Sequence, residues 1–206
     1  MLGIFKWDRI KTKLYATASG LLLALAWPAI GNLTTIIFLS FVPLLWVEDF
    51  LSKKRRSGIT VFGHAYLAFF IFNLLTTWWI YYASDWGAAM AIICNSLFMS
   101  IVFWLFHLTK KKVGCKVAYF ALLFYWLAFE YLHLNWELSW PWLTLGNVFS
   151  NSPENVQWFE YTGVLGGSAL ILIVNLVFFQ SLKQARLKAR LSFKYFILSV
   201  LIVLGS

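Results

Sequence analysis

Glu130 and His133 stand three residues apart in an apolar stretch, a spacing that puts two side chains on one face of a helix. A carboxylate beside an imidazole can move protons, but no serine or cysteine is near enough in sequence to complete a nucleophilic site. An ionisable group in such a stretch otherwise partners a neighbouring helix, faces a water-filled cavity or snorkels to an interface. Of the two cysteines, Cys94 lies inside an apolar run and Cys115 follows Lys110, Lys111 and Lys112; both read as unpaired thiols. His64 and His107 fall near helix ends and read as interface residues rather than ligands. With no Cys/His cluster the sequence predicts no metal site. It also contains no phosphate loop, dinucleotide fingerprint or Ser-His-Asp order, so no cofactor is implied.

The elements that must carry these groups are set by composition. The 206 residues are 61% hydrophobic and 12% charged, against roughly 45–50% and 25% in soluble domains. Twelve Trp, nine Tyr and twenty Phe add aromatic mass of the kind that collects at membrane–water interfaces. A soluble fold of this size has too little interior to hide that surface. Apolar stretches at about 14–30, 33–50, 60–82, 88–108, 117–134, 164–182 and 193–206 predict an all-α polytopic bundle of about seven transmembrane helices. The last has only fourteen residues, about 21 Å of helix, and is expected to be truncated. Pro43 in the second stretch is tolerable if a neighbour satisfies the carbonyl it frees. Asn73, Asn95 and Asn175 are expected to make interhelical hydrogen bonds.

The net charge of +9 does not point to nucleic acid, because no helix carries a basic stripe. All 17 basic residues fall in four groups, at 6–13, 53–56, 110–116 and 183–194, on alternate connections. The connections near 31, at 83–87 and at 135–163 hold none. The positive-inside rule then puts the amino terminus in the cytoplasm and the loop 135–163 and the carboxyl terminus outside. Ala24-Leu25-Ala26 also fits a signal-peptide cleavage site, although Pro28 and the apolar run that follows at once favour a helical hairpin.

The loop 135–163 contains Trp136, Trp140, Pro141 and Trp142, and Glu130, Glu137, Glu154 and Glu160 put half of the eight acidic residues in or beside it. Ser152-Pro153 predicts a short interfacial helix with Val156, Trp158 and Phe159 on its apolar face. Two readings stand side by side: an aromatic belt that anchors helix ends, and a membrane-surface platform for an amphiphilic substrate. Gly163, Gly166 and Gly167 open the sixth stretch and allow close helix approach.

At this loop the chain resembles the amino-terminal membrane part of the apolipoprotein N-acyltransferase family. The resemblance rests on Trp140-Pro141-Trp142-Leu143-Thr144-Leu145-Gly146, on Thr162-Gly163-Val164-Leu165-Gly166-Gly167-Ser168 preceded by Glu160, and on Asn175. Glu130 matches an acidic residue before the same loop, and Trp79 belongs to a weaker match. The resemblance implies an envelope enzyme of the bacterial inner membrane. A Glu-Lys-Cys triad in an external nitrilase-like domain would pass an acyl chain from phospholipid to the diacylglyceryl-cysteine of lipoproteins. This chain would supply the lipid and lipoprotein cradle without that triad, with Trp142, Pro141, Trp140, Gly146, Glu130, Glu160 and Trp79 as candidate binding residues and Gly163, Gly166 and Asn175 as packing residues. A non-catalytic scaffold or transporter is the alternative, but no internal repeat supports a transporter.

Overall fold

Each helix begins and ends where local chemistry requires it. The computed structural model describes residues 2–137 and 139–186. Helix α1 (Leu2–Ala26) stops before Pro28; Trp27 to Asn32 form a turn in which Asn32 takes a φ of 52° and Leu33 N–H returns to Leu25 O at 3.1 Å. The second apolar stretch is divided into a 3-10 segment, Thr34–Leu39, and helix α2, Val42–Lys53, with Pro43 in its first turn. Helix α3 (Gly58–Thr77) is capped by Ser57 and runs on into a 3-10 turn, Trp78–Tyr82. Helix α4 (Asp85–Lys112) is capped by Ser84, which accepts from Gly87 N–H at 3.0 Å. Asp85 in its first turn and Lys110, Lys111 and Lys112 in its last complement the helix dipole. Helix α5 spans Cys115–Leu134 and α6 spans Phe159–Ala185.

Five of these helical stretches are long and apolar enough to cross a membrane: 34–53, 58–82, 85–112, 115–134 and 159–185. Helix α1 is not among these five; it carries Arg9, Lys11 and Lys13 in its first half. The expected stretch 193–206 lies outside the described residues. Large side chains on the outside agree with lipid as the solvent: Phe120 and Phe124 are 69% and 65% exposed.

Helix α3 packs on α1 at one side and α4 at the other, α5 lies against α4, and α6 closes on α5, α2 and the 3-10 segment 34–39. At the centre, Trp126 of α5 meets Phe41 at 5.1 Å and Phe69 at 5.5 Å, all three fully buried. Such rings fill a bundle that apolar solvent does not drive together. Asn73 and Asn95 bond across α3 and α4 at 2.7 Å.

The break before α2 is closed from the far end of the sequence. Asn175 of α6 accepts from Phe41 N–H at 2.9 Å and donates to Ile37 O at 2.8 Å, and it also bonds Ile171 O within its own helix. Non-helical backbone at membrane depth needs such a partner. Asn175→Leu is therefore expected to cost about 1–3 kcal/mol, because the Phe41 N–H is stranded while Ile37 O keeps its bonds from Ser40. Thermal unfolding in detergent micelles measures it.

Candidate functional site

The two ends of the bundle differ in chemistry. At one end the basic connections meet buried acids. Glu48 accepts from Ser52 at 2.8 Å, contacts His107 Nδ1 at 2.9 Å and pairs with Lys110. Asp49 pairs with Lys53 at 2.7 Å and Lys183 at 2.6 Å. The side chains of Glu48, Asp49, His107 and Lys110 are all less than a tenth exposed. His107 thus sits in the interior rather than at an interface, as a hydrogen-bond partner of an acid. His64 is half-buried and bonds Thr12 Oγ1 at 3.0 Å and Thr60 O at 2.7 Å. No group of metal-ligating side chains occurs among the described residues.

At the other end, residues 139–158 fold back over α5 and α6. Glu130 is buried, and its Oε1 accepts from Leu145 N–H at 2.8 Å and Trp126 Nε1–H at 3.0 Å. Gly146 N–H donates to Ser168 Oγ of α6 at 2.9 Å. At Gly146 a Cβ would run into the Val164 carbonyl, so only glycine lets this strand of loop lie directly on α6. The segment is therefore pinned at consecutive backbone amides, one to α5 and one to α6. It becomes two 3-10 turns, Pro141–Leu143 and Leu145–Phe149.

Beyond it, the expected interfacial helix resolves into a 3-10 turn, Pro153–Asn155, and the first turn of α6. Ser152 makes no side-chain capping bond. Gly163, with φ 64° and ψ −174°, separates that first turn from the membrane-spanning part of α6, a conformation that disfavours any side chain. Gly166 packs against Thr162 and Trp158.

Pinning the segment presents its aromatics. Trp142 is 57% exposed and meets Trp79 of the 3-10 turn after α3 edge-on at 5.9 Å. Trp140 is half-buried beside Trp142 at 6.5 Å, and Asn147 Nδ2 holds the Pro141 carbonyl at 2.8 Å. Of the expected site residues, Glu130, Trp140, Pro141, Trp142, Gly146 and Trp79 come together here. Glu160 does not: it is exposed on the first turn of α6, away from the Glu130 network.

Glu130 and His133 share a buried face yet do not pair. Glu130 turns to the loop, while His133 stacks on Phe129 at 5.0 Å and meets Phe98 and Trp136 edge-on or tilted. Glu130 is thus a positioning residue that holds backbone. Cys94 is half-buried on α4, and Cys115 is exposed at the start of α5 beside the basic end. The bond between Ser168 and Gly146 and the Glu48–Asp49 cluster were not anticipated. Two adjacent acids ending an apolar stretch were the available signal for the cluster.

Among the described residues, six packed helices, basic residues gathered at one end and an aromatic loop anchored on the other define a polytopic all-α membrane protein. The family model of the apolipoprotein N-acyltransferase N-terminal domain matches residues 19–177, and the chain belongs to that family. An apolipoprotein N-acyltransferase of Chlorobaculum tepidum is 32% identical over 162 residues, covering 77% of this chain and 30% of that protein. One of Geobacter metallireducens is 28% identical over 178 residues, covering 82% of this chain and 33% of its own length. The chain spans about a third of the length of these relatives. No solved structure matches it significantly.

Proposed function

We propose that this chain forms the membrane cradle of an N-acyltransferase that moves an acyl chain from phospholipid to the amino group of a lipoprotein's diacylglyceryl-cysteine. The observation that carries this reading is the pinned segment Pro141–Gly146, which holds Trp142 against Trp79 at the rim of the bundle. A fixed, half-exposed aromatic pair at an interface offers apolar area and an indole donor to an amphiphile, without the entropic cost of ordering a loose loop. Pro141 and Gly146 set the turn, and Glu130 anchors it. The one-sided basic residues support an inner-membrane orientation with the amino terminus cytoplasmic and this rim, with the carboxyl terminus, toward the periplasm. Neither cysteine is placed for thioester chemistry, one lying in the α4 wall and the other at the basic end. The 206 residues alone are therefore expected to bind without transferring an acyl chain.

The test is binding of a diacylglyceryl lipopeptide to the chain in nanodiscs. Trp142→Ala is expected to weaken binding about tenfold, or ~1.4 kcal/mol, while Phe120→Ala on the lipid-facing side of α5 leaves it unchanged. Equal affinities for the wild type and both variants would reduce the aromatic rim to a membrane anchor.

A further inference from the structure

Charge at the basic end is unevenly balanced. Of the chain's eight acids only Asp8, Glu48 and Asp49 belong to that end. Glu48 and Asp49 turn inward and take Lys53, Lys110 and Lys183, which leaves Asp8 as the carboxylate of the outer side. There, α1, the α2–α3 turn and the start of α3 enclose a hollow of about 100 Å³ lined by Asp8, Arg9, Lys54, Arg56 and His64. Asp8 pairs with Lys54, whose side chain is still 43% exposed. Three cations against one carboxylate give the lining a formal surplus of two positive charges. Thr12, His64 and Thr60 tie α1 to α3 along one wall, His64 bonding Thr12 Oγ1 at 3.0 Å and Thr60 O at 2.7 Å.

The turn that presents Lys54 and Arg56 is fixed at both ends. Arg55, at φ 50°, returns its N–H to Ser52 O at 2.9 Å, and Arg56 N–H reaches Leu51 O at 3.0 Å. This pair of bonds closes α2 as a Schellman motif. One residue on, Ser57 caps α3. Arg56 therefore has little backbone freedom, and the first turn of α3 adds its own partial positive charge beside it. A second hollow, about 210 Å³, adjoins across Asp8, Thr12 and Phe50 and brings Lys11 and Arg186, the latter stacked on Trp46 at 4.3 Å. One water needs on the order of 15 Å³, so the first hollow has room for a tetrahedral oxyanion. Guanidinium groups held in place bind such an anion through two parallel N–H bonds, with lysine adding a point charge. We infer that the hollow among Arg9, Lys54 and Arg56 is a phosphate site, filled by a small soluble phosphate or by the phosphate of a lipid headgroup. It lies at the opposite end of the bundle from the Trp79–Trp142 rim and does not depend on the acyltransferase reading.

The experiment titrates inorganic phosphate against the full chain in neutral detergent, with chloride holding the ionic strength constant, and follows the unfolding temperature. Binding to the folded state alone raises that temperature along a saturating curve. Arg9→Gln and Arg56→Gln are each expected to weaken the apparent Kd about tenfold, the loss of one charged hydrogen bond. Lys112→Gln, which removes an exposed charge from the same end, should leave the curve unchanged. Arg9 is exposed, so its variant keeps the test valid where Arg56→Gln disturbs the turn. A rise that never saturates and is shared by the wild type and all three variants would be the general salting effect of phosphate, and it would overturn the site. Equal weakening by all three substitutions would reduce the hollow to part of a diffuse basic field, and would overturn it too. The titration is then repeated in phosphatidylcholine nanodiscs with and without phosphatidic acid. Loss of the phosphate response in the phosphatidic acid discs assigns the site to a headgroup, and an unchanged response assigns it to a soluble phosphate. Failure of lipopeptide binding at Trp142 leaves either result untouched.

Discussion

Glu130→Leu is expected to cost about 2–6 kcal/mol and to free the loop 139–158 from the bundle. Leucine has nearly the volume of glutamate but accepts nothing. The Leu145 N–H and Trp126 indole N–H, both bonded to Glu130 Oε1, would then be buried without partners at roughly 1–3 kcal/mol each. Measured side-chain bonds inside membrane proteins average nearer 0.6 kcal/mol because the unfolded helices also find partners. That argues for the lower part of the range where Trp126 can re-pair, and the upper part where the Leu145 amide cannot. Glu130→Gln keeps an oxygen acceptor and should retain most of the stability. Thermal unfolding in detergent, read with the rate of limited proteolysis in 139–158, measures both effects. Because Gly146 follows Leu145 directly, loss of the first anchor should also loosen the Gly146–Ser168 bond. Trp142 would then leave its place beside Trp79.

At the opposite end Glu48→Leu is expected to cost about 3–5 kcal/mol, the usual loss when one partner of a buried ion pair is removed. Lys110, whose side chain is 7% exposed, and His107, at 2%, would lose the carboxylate that both contact. Asp49 lies within 3.4 Å of Lys110 and offers partial compensation, so the lower half of the range is the firmer expectation. Glu48→Leu combined with Lys110→Met should recover much of the loss, since an apolar pair of similar volume often replaces a buried ion pair without cost. A double-mutant cycle by thermal unfolding gives the coupling directly. Additive losses would mean that the pair is held by the surrounding helices rather than holding them together.

These two clusters also mark where sequence reasoning succeeded and where it stopped. Span positions follow from hydropathy over about twenty residues, a local property, and α3, α4 and α5 lie within a few residues of the expected stretches. Asn175 was expected to bridge helices and does so, although its partners, Ile37 and Phe41, are more than 130 residues away. The acids at 48 and 49 were not legible as a cluster because their partners His107, Lys110 and Lys183 lie 59, 62 and 134 residues away. Basic residues counted for orientation also turned out to be partly interior. The spacing of Glu130 and His133 gave their common helix but not their neighbours, and one turned to the loop while the other turned to α4. In the loop, Ser152-Pro153 carried a local helix signal. Anchoring of Leu145 and Gly146 by α5 and α6, together with the Gly163 break, set short turns instead.

The claim that this chain is the membrane cradle of an N-acyltransferase is tested most directly by exchange. The segment of the Chlorobaculum tepidum relative that aligns with this chain would be replaced by the present sequence, and acylation of a diacylglyceryl lipopeptide by the purified chimera measured in phospholipid nanodiscs. Transfer is expected, and it should be lost in the Glu130→Leu chimera and retained with Glu130→Gln. A chimera that inserts and unfolds at the same temperature as its parent, yet transfers no acyl chain, would contradict the account.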